Sequence, residues 1–96
     1  MKSANRAAAR RIATALVESA GAACVNIIPG IQSVYRWQGH IQSDRESLLI
    51  IKAGSDRYAA IEATVKALHP YELPEIIAVP IDGGSPAYLA WLQTGG

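Results

Sequence analysis

The chain has 96 residues, of which 50% are hydrophobic and 18% are charged, and its formal net charge is +1. This length predicts one domain over residues 1–96, and the small net charge argues against nucleic acid, an anionic membrane or an acidic substrate as a partner. A domain of this size has a small interior in which to bury apolar side chains. A composition this apolar therefore predicts a homo-oligomer, in which copies of the chain bury apolar surface against one another.

The start of the chain favours a cytoplasmic protein. The first residues lead into a helix rich in alanine and arginine, without the apolar core of a signal peptide, and no apolar run has the length of a membrane span. Cys24 is the single cysteine, which excludes an internal disulfide.

Residues 4–20 are predicted to form an amphipathic helix. Gly21 suits a left-handed stop after its last turn. Three arginines are expected to form a solvated face of this helix: Arg6, Arg10 and Arg11. The apolar residues recur at helical spacing and are expected to face the core: Ala9, Ile12, Ala13, Leu16, Val17 and Ala20.

Strands are predicted next. Residues 23–28 form a largely buried strand that ends in a turn at Pro29-Gly30, and residues 31–38 and 41–53 form a hairpin broken at Gly39. In the second strand, alternation places Tyr35 and Trp37 on one face.

The remaining elements complete a two-layer α+β domain with helices on one face of the sheet. Ser55 is predicted to cap a helix that runs to residue 68, and residues 74–81 to form a further strand. Ser85 and Pro86 suit the first positions of a short last helix. Its buried side is predicted to consist of Tyr88, Leu89, Trp91 and Leu92.

The segment HPYELPE, residues 69–75, carries the densest polar chemistry. It combines an imidazole, a phenol and two carboxylates with two prolines. Each proline fixes its own φ and pushes the preceding residue toward extended geometry, so the segment is predicted to be an ordered turn that lines a site.

Five motifs taken together closely resemble the CutA divalent-cation tolerance family: AACVNIIPG (22–30), YRWQG (35–39), LIIK (49–52), HPYELPEII (69–77) and YLAWL (88–92). The similarity extends from about Arg6 to the C-terminus. It implies a ferredoxin-like two-layer sandwich, assembled into a PII-like trimer through strand pairing between subunits. It also implies a role in tolerance of copper and other divalent metals, without an established catalytic reaction.

One departure from the family concerns the first strand. Members begin with an apolar strand that lies centrally in the sheet, and here only five residues precede the first helix. The sequence therefore predicts that this strand is missing, which would leave neighbouring backbone groups unpaired. Three explanations remain open: a rearranged sheet, backbone contributed by another chain, or a natural protein that begins earlier.

A second departure concerns metal. Copper ligands proposed in the family include a cysteine on the missing strand and a histidine pair before the loop proline, and only His69 carries over to this chain. Cys24 could be a soft ligand for Cu(I), although its apolar neighbours favour a small buried side chain. His69 could equally contact the last carbonyls of its helix. Copper or another divalent cation is thus a candidate ligand.

The family resemblance and the polar loop together predict a ligand cleft between subunits. Its predicted lining is Tyr35, Trp37, Lys52, Tyr71 and Glu72. The aromatic residues could instead belong to a core or interface, and Lys52 could reach solvent, pair with Glu72 or contact an anion.

The resulting functional hypothesis is a non-enzymatic homotrimer that acts in metal tolerance or as a PII-like sensor of a metal ion or small ligand. One alternative is a scaffold that anchors partner proteins. The other is an enzyme that uses Cys24, His69 and Glu72, for which no recognisable arrangement of nucleophile and base occurs in the sequence.

Overall fold

The computed structural model describes residues 2–3, 6–69 and 73–96, and for residues 2–3 the backbone alone. Its elements in chain order are β1 (Lys2–Ser3), α1 (Arg6–Ser19), β2 (Cys24–Trp37), β3 (His40–Lys52), α2 (Tyr58–Leu68) and α3 (Pro86–Gln93). Within the described ranges, none of the helices is long and apolar enough to cross a membrane.

The predicted hairpin is confirmed. Strands β2 and β3 pair antiparallel from Cys24 opposite Lys52 to Trp37 opposite His40. The two residues between them have positive φ, 48° at Gln38 and 82° at Gly39. This is the combination of a type I′ turn, whose twist matches that of the strands it joins.

The predicted turn at Pro29-Gly30 is wrong. These residues form a β-bulge inside one long strand, because Ile28 pairs with Leu48 and Ile31 pairs with Glu46. Gly30 has a φ of 71°, the left-handed conformation that suits glycine at such a bulge. The two predicted strands on either side are therefore one strand, β2.

The prediction that the first strand is missing is wrong, because two described residues form a strand at this place. Lys2 pairs with Leu48 and Ser3 with Ser47, which gives the sheet order β1-β3-β2. Strand β3 is therefore central, and its second edge is paired with β1 at Leu48 and Ser47. The fragment occupies the place beside β3 that the resemblance assigns to a full strand.

Helices α1 and α2 cover one face of the sheet and build the core. Ile12 and Leu16 of α1 meet Ile61 and Val65 of α2 and Leu49 of β3, all of them buried. The predicted core face of α1 is confirmed except at Val17, which is 47% exposed. Gly21 ends the helix with a φ of 82°, as predicted.

The predicted cap of the second helix is wrong. Residues Ser55–Arg57 form a 3-10 turn, and α2 starts at Tyr58 without a side-chain cap. The predicted end is confirmed, since His69 is extended with ψ of 133°. Proline at the next position disfavours helical geometry for the residue before it.

The predicted strand over residues 74–81 does not form within the chain. Ile76 packs against the core, whereas Ile77 is 73% exposed and Val79 is 78% exposed. A β-strand is defined by its partner, and no described segment of the chain pairs with this one. An apolar segment is thus left open to solvent.

The start of α3 is as predicted, and its buried side is not. The hydroxyl of Ser85 accepts from the backbone N–H of Tyr88 at 3.5 Å, and proline occupies the first turn. Leu92 is buried, but Tyr88 and Trp91 are each 42% exposed. Their rings lie 5.6 Å apart and pack on each other instead of on a core.

A ladder of three polar side chains lies along α2 at a spacing of four residues. The pKa of Glu62 lies below its ordinary value of 4.5, first because Lys66 donates a hydrogen bond to it and next because Tyr58 does. The same bond raises the pKa of Lys66 above 10.5. The pKa of Tyr58 is raised above 10.0 because its hydroxyl donates to Glu62.

The ladder predicts a stability difference that depends on pH. The depressed pKa of Glu62 means that its contribution is present above pH 4.5 and is lost as the pH falls through the folded-state value, below 4.5. We expect Glu62→Gln to lower the urea midpoint slightly at neutral pH and not well below pH 4.5. Since the pair is exposed, added salt should shrink the difference. An equal difference at both pH values would contradict this assignment, and a double-mutant cycle with Lys66→Gln isolates the pair.

The I′ turn predicts a conformational penalty for a side chain at Gly39. No atom lies within 4 Å of the position a Cβ would take there, so Gly39→Ala meets no clash and only an unfavourable φ. We expect a loss of about 1–2 kcal/mol in the free energy of unfolding, measured with urea. Gly83→Ala is the matched control, because that site is equally open and its φ is not positive. It should leave stability unchanged or slightly raised, and equal losses at both sites would refute the turn assignment.

Candidate functional site

The hairpin has two chemically different faces. Val25, Ile27 and Ile51 pack against the helical core, so the residues that alternate with them point away from the helices. We call this second surface the back face. From the register, it carries Cys24, Asn26 and Ile28 of β2 and Leu48, Ile50 and Lys52 of β3.

The bulge extends the back face to the tip of the hairpin. Because one extra residue is inserted at Pro29-Gly30, Ile31 lies on the same face as Ile28 although the two are an odd number of residues apart. Tyr35 and Trp37 therefore lie on the back face, as does Lys52. The sequence-based prediction that Tyr35 and Trp37 share a face is confirmed.

Cys24 and Lys52 form a half-buried pair at the base of the hairpin, directly across the two strands. The thiol of Cys24 lies 3.9 Å from the carboxamide oxygen of Asn26. The sequence favoured a small buried side chain for Cys24, whereas in the single chain the residue is only half-buried, on the face that points away from α1 and α2. No described carboxylate forms an ion pair with Lys52.

Aromatic residues occupy the tip of the same face. The hydroxyl of Tyr35 donates to Asp44 at 2.5 Å. Trp37 is 37% exposed and lies opposite His40 beside the turn. The register pairs Tyr35 with Gln42, so Asp44 is its diagonal neighbour, and this hydrogen bond restrains the ring across the strands.

The two ends of the back face are too far apart to form one site within a chain. Lys52 and Gln42, which lies opposite Tyr35, are separated by ten residues of β3, or roughly 33 Å at the rise of an extended strand. The structure therefore does not bring Lys52 together with Tyr35 and Trp37. The two ends could join in one cleft only where two molecules meet.

His69 is 7% exposed, and its backbone N–H donates to the carbonyl of Val65 at 2.8 Å, which completes the end of α2. Tyr71 and Glu72, two further predicted lining residues, lie outside the described residues. Among residues 6–69 and 73–96, no three side chains of the His, Cys, Asp or Glu type come close enough to hold a metal ion. Neither Cys24 nor His69 belongs to such a group there.

Glu46 is a back-face residue that the sequence analysis did not single out. The residue is only 3% exposed, and it lies across the strands from Ile31 at the bulge. The signal that could have found it is its place in the alternation, two residues before the apolar run of β3. A glutamate is rarely this deeply buried in a folded protein, so its position at the edge of the apolar run marks it for mutational study.

The accessible surface area of the single chain is larger than expected for a folded monomer of its mass. A folded monomer of 10.2 kDa has an accessible surface of about 5,300 Å² by the usual scaling. This chain has 6310 Å². Its radius of gyration is 14.2 Å, whereas a compact domain of this length has about 12.5 Å. The exposed large hydrophobic side chains lie in the hairpin and in residues 73–91, with Val17 as the exception among the described residues.

Comparison with known proteins adds a family to this geometry. The profile of the CutA1 divalent ion tolerance protein family matches residues 1–95. The chain belongs to this CutA1 family. It is 53% identical to the divalent-cation tolerance protein CutA of Thermus thermophilus, over 88% of this chain and 82% of that protein.

Solved CutA1 structures confirm the fold. The structure of the divalent cation tolerance protein from Thermus thermophilus matches with a TM-score of 0.93 at 49% identity, over 96% of this chain and 89% of that one. The predicted ferredoxin-like α+β class is therefore confirmed.

The relatives differ in length. The chloroplastic protein CutA of Arabidopsis thaliana is 51% identical over 93% of this chain, but the match spans only 49% of that protein. This chain thus spans about half the length of its plant CutA relative and most of its bacterial one. The names of the family and of the Thermus thermophilus relative describe tolerance of divalent cations and no catalytic reaction.

Proposed function

We propose that this CutA1-family chain forms a homotrimer that acts in the tolerance of, or response to, divalent metal ions such as copper. Each cleft between subunits would bind a metal ion or a small anionic ligand, in the manner of a PII-like sensor. We place the protein in the cytoplasm and assign it no catalytic activity.

The observation that carries this proposal is the exposed apolar side chains. Ile77 is 73% exposed and Val79 is 78% exposed, in a segment that has no strand partner within the described chain. Ile28 and Ile50 are also exposed, on the back face. Exposed large apolar side chains in such number favour an interface, and a second copy of the chain is the partner that the family resemblance indicates.

Assembly would also complete the cleft. Lys52 lies at the base of the hairpin and Trp37 at its tip, so the two can line one site only if they come from different subunits. The ligand would then contact the ammonium group and half-buried thiol of one subunit and the aromatic tip of another. A lysine on an apolar face without a described ion-pair partner favours an anion as ligand, or a metal bound together with an anion.

A scaffold role is the second candidate. Tyr88 and Trp91 form an exposed aromatic pair on α3, and such residues are enriched in protein interfaces. In this case the trimer would anchor a partner protein through α3, and the cleft would stay empty.

An enzyme that uses Cys24, His69 and Glu72 is less well supported. The Cys24 thiol donates to a carboxamide oxygen, which cannot act as a general base. His69 is buried at the end of α2, where it offers little access to a substrate.

The assembly proposal predicts that one charge on the unpaired segment dissociates the trimer. Val79 is 78% exposed in the single chain, so Val79→Asp should leave the subunit fold intact while placing a carboxylate in the interface. We expect size exclusion with light scattering to show a trimer for the original chain and smaller species for the variant. Ala63→Asp, on the exposed side of α2, is the matched control and should remain trimeric. A stable monomer at micromolar concentration before any substitution would refute the proposal.

The metal hypothesis predicts different behaviour for the two histidines of the chain. If His69 is a ligand, His69→Gln should abolish or strongly reduce the heat of Cu²⁺ binding in calorimetry. His40→Gln, at the exposed hairpin turn, should leave it unchanged. Both variants are compared at equal oligomeric state. Unchanged heat for His69→Gln would remove His69 from any copper site.

A further inference from the structure

The charges of this chain are distributed unevenly along the sequence. Four of its nine basic residues fall within the first eleven positions, and none of its eight acidic residues precedes Glu18. Although the net charge of the chain is only +1, the charged residues before Glu18 are all basic. Most of this segment is helix α1, whose inner face builds the core.

The arginines of α1 form an exposed cluster with no ion-pair partner among the described residues. Arg6, Arg10 and Arg11 are all exposed, and none forms an ion pair with a described carboxylate. Arg6 and Arg10 are four residues apart, a spacing at which like charges repel. They also lie in the first two turns of a helix with no acidic residue in its first turn, where the helix dipole disfavours positive charge.

A shallow apolar groove continues the same face of the helix. It has a volume of about 390 Å³ and is lined by Ala13, Thr14, Val17, Glu18 and Val25. Ala13, Thr14 and Val17 follow Arg10 at intervals of three, four and seven residues, so the groove begins one turn beyond the arginines. Val17 is 47% exposed although it belongs to the apolar pattern of the helix.

We propose that the outer face of α1 is a docking surface for an acidic peptide segment of a partner protein, one that carries apolar side chains between its carboxylates. Carboxylates of the segment pair with Arg6, Arg10 and Arg11, and an apolar side chain enters the groove at Val17. This pairing relieves the repulsion between the arginines, which no described carboxylate of the chain compensates. The surface lies on the helical layer and is separate from the back face.

An anionic membrane fits this surface less well than a peptide. Glu18 borders the groove and would face the negative headgroups. Among the residues of the groove and the arginine cluster, only Val17 is a large exposed hydrophobic residue. Membrane-binding helices carry a broad apolar face in addition to their basic residues, and the apolar face of α1 is already buried in the core.

The test is fluorescence anisotropy with the whole protein and a short labelled peptide of alternating aspartate and leucine. We expect saturable binding that weakens with salt, and a Kd about tenfold higher for the double variant Arg6→Glu/Arg10→Glu. The double variant Arg6→Gln/Arg10→Gln should also weaken binding, by a smaller factor. It replaces the charge-reversal variant if that one fails to fold. Val17→Ser should weaken binding without changing the salt dependence.

Controls separate this surface from general electrostatic attraction. Arg36→Glu/Arg45→Glu makes the same change in charge on the exposed hairpin and should leave the Kd unchanged. A peptide with lysine in place of aspartate should not bind. The proposal is overturned if the α1 and hairpin variants lose affinity equally, or if the acidic peptide does not bind.

Two further outcomes would also overturn it. If the protein binds phosphatidylserine vesicles through Arg6 and Arg10 but not the peptide, the surface is a membrane site. If Val17→Ser or the α1 charge variants change the mass in light scattering, the groove lies between copies of the chain.

Discussion

The antiparallel ladder between β2 and β3 is the interaction on which the rest of the structure depends. It pairs the strands along almost their whole length and is closed by a I′ turn at Gln38 and Gly39. The helices cover only the base of this ladder, so the remainder projects and gives the molecule a long axis of 45 Å. Paired backbone groups keep the projection ordered, but its side chains have too few neighbours to be buried. The need for further contacts follows from this geometry.

The bulge at Pro29-Gly30 determines which side chains of the projecting hairpin lie on the back face. Without the extra residue, the alternation would place Tyr35 and Trp37 on the side of the helices; with it, they share the back face with Lys52. Ends of one face that lie roughly 33 Å apart can meet only between molecules. The proposed ligand cleft of this CutA1-family protein therefore depends on assembly.

The two faces of helix α1 differ in chemistry. Its inner residues form the core with α2 and β3 and would be required of any chain with this fold. Its outer arginines contribute nothing to that core and repel one another. Like charges at this spacing weaken the helix slightly, and an acidic partner of the kind proposed above would offset that repulsion. The back face and the outer face of α1 would then serve assembly and docking separately.

The sequence by itself determined whatever depends on near neighbours along the chain. The extent of α1, the stop at Gly21, the end of α2 before proline, the start of α3 and the hairpin break at Gly39 were all predictable, because each depends on local dihedral preference or periodicity. The candidate site was partly predictable, since a shared face for Tyr35 and Trp37 follows from alternation.

Only the tertiary structure decided where distant segments meet. Pro29-Gly30 is a turn signal in isolation, and pairing with β3 makes it a bulge. Residues 74–81 have the composition of a strand but find no partner within the described chain, and the apolar side of α3 finds little core to cover Trp91. Burial and strand pairing depend on a second surface, and a pattern of residues cannot specify whether that surface belongs to its own chain or to another.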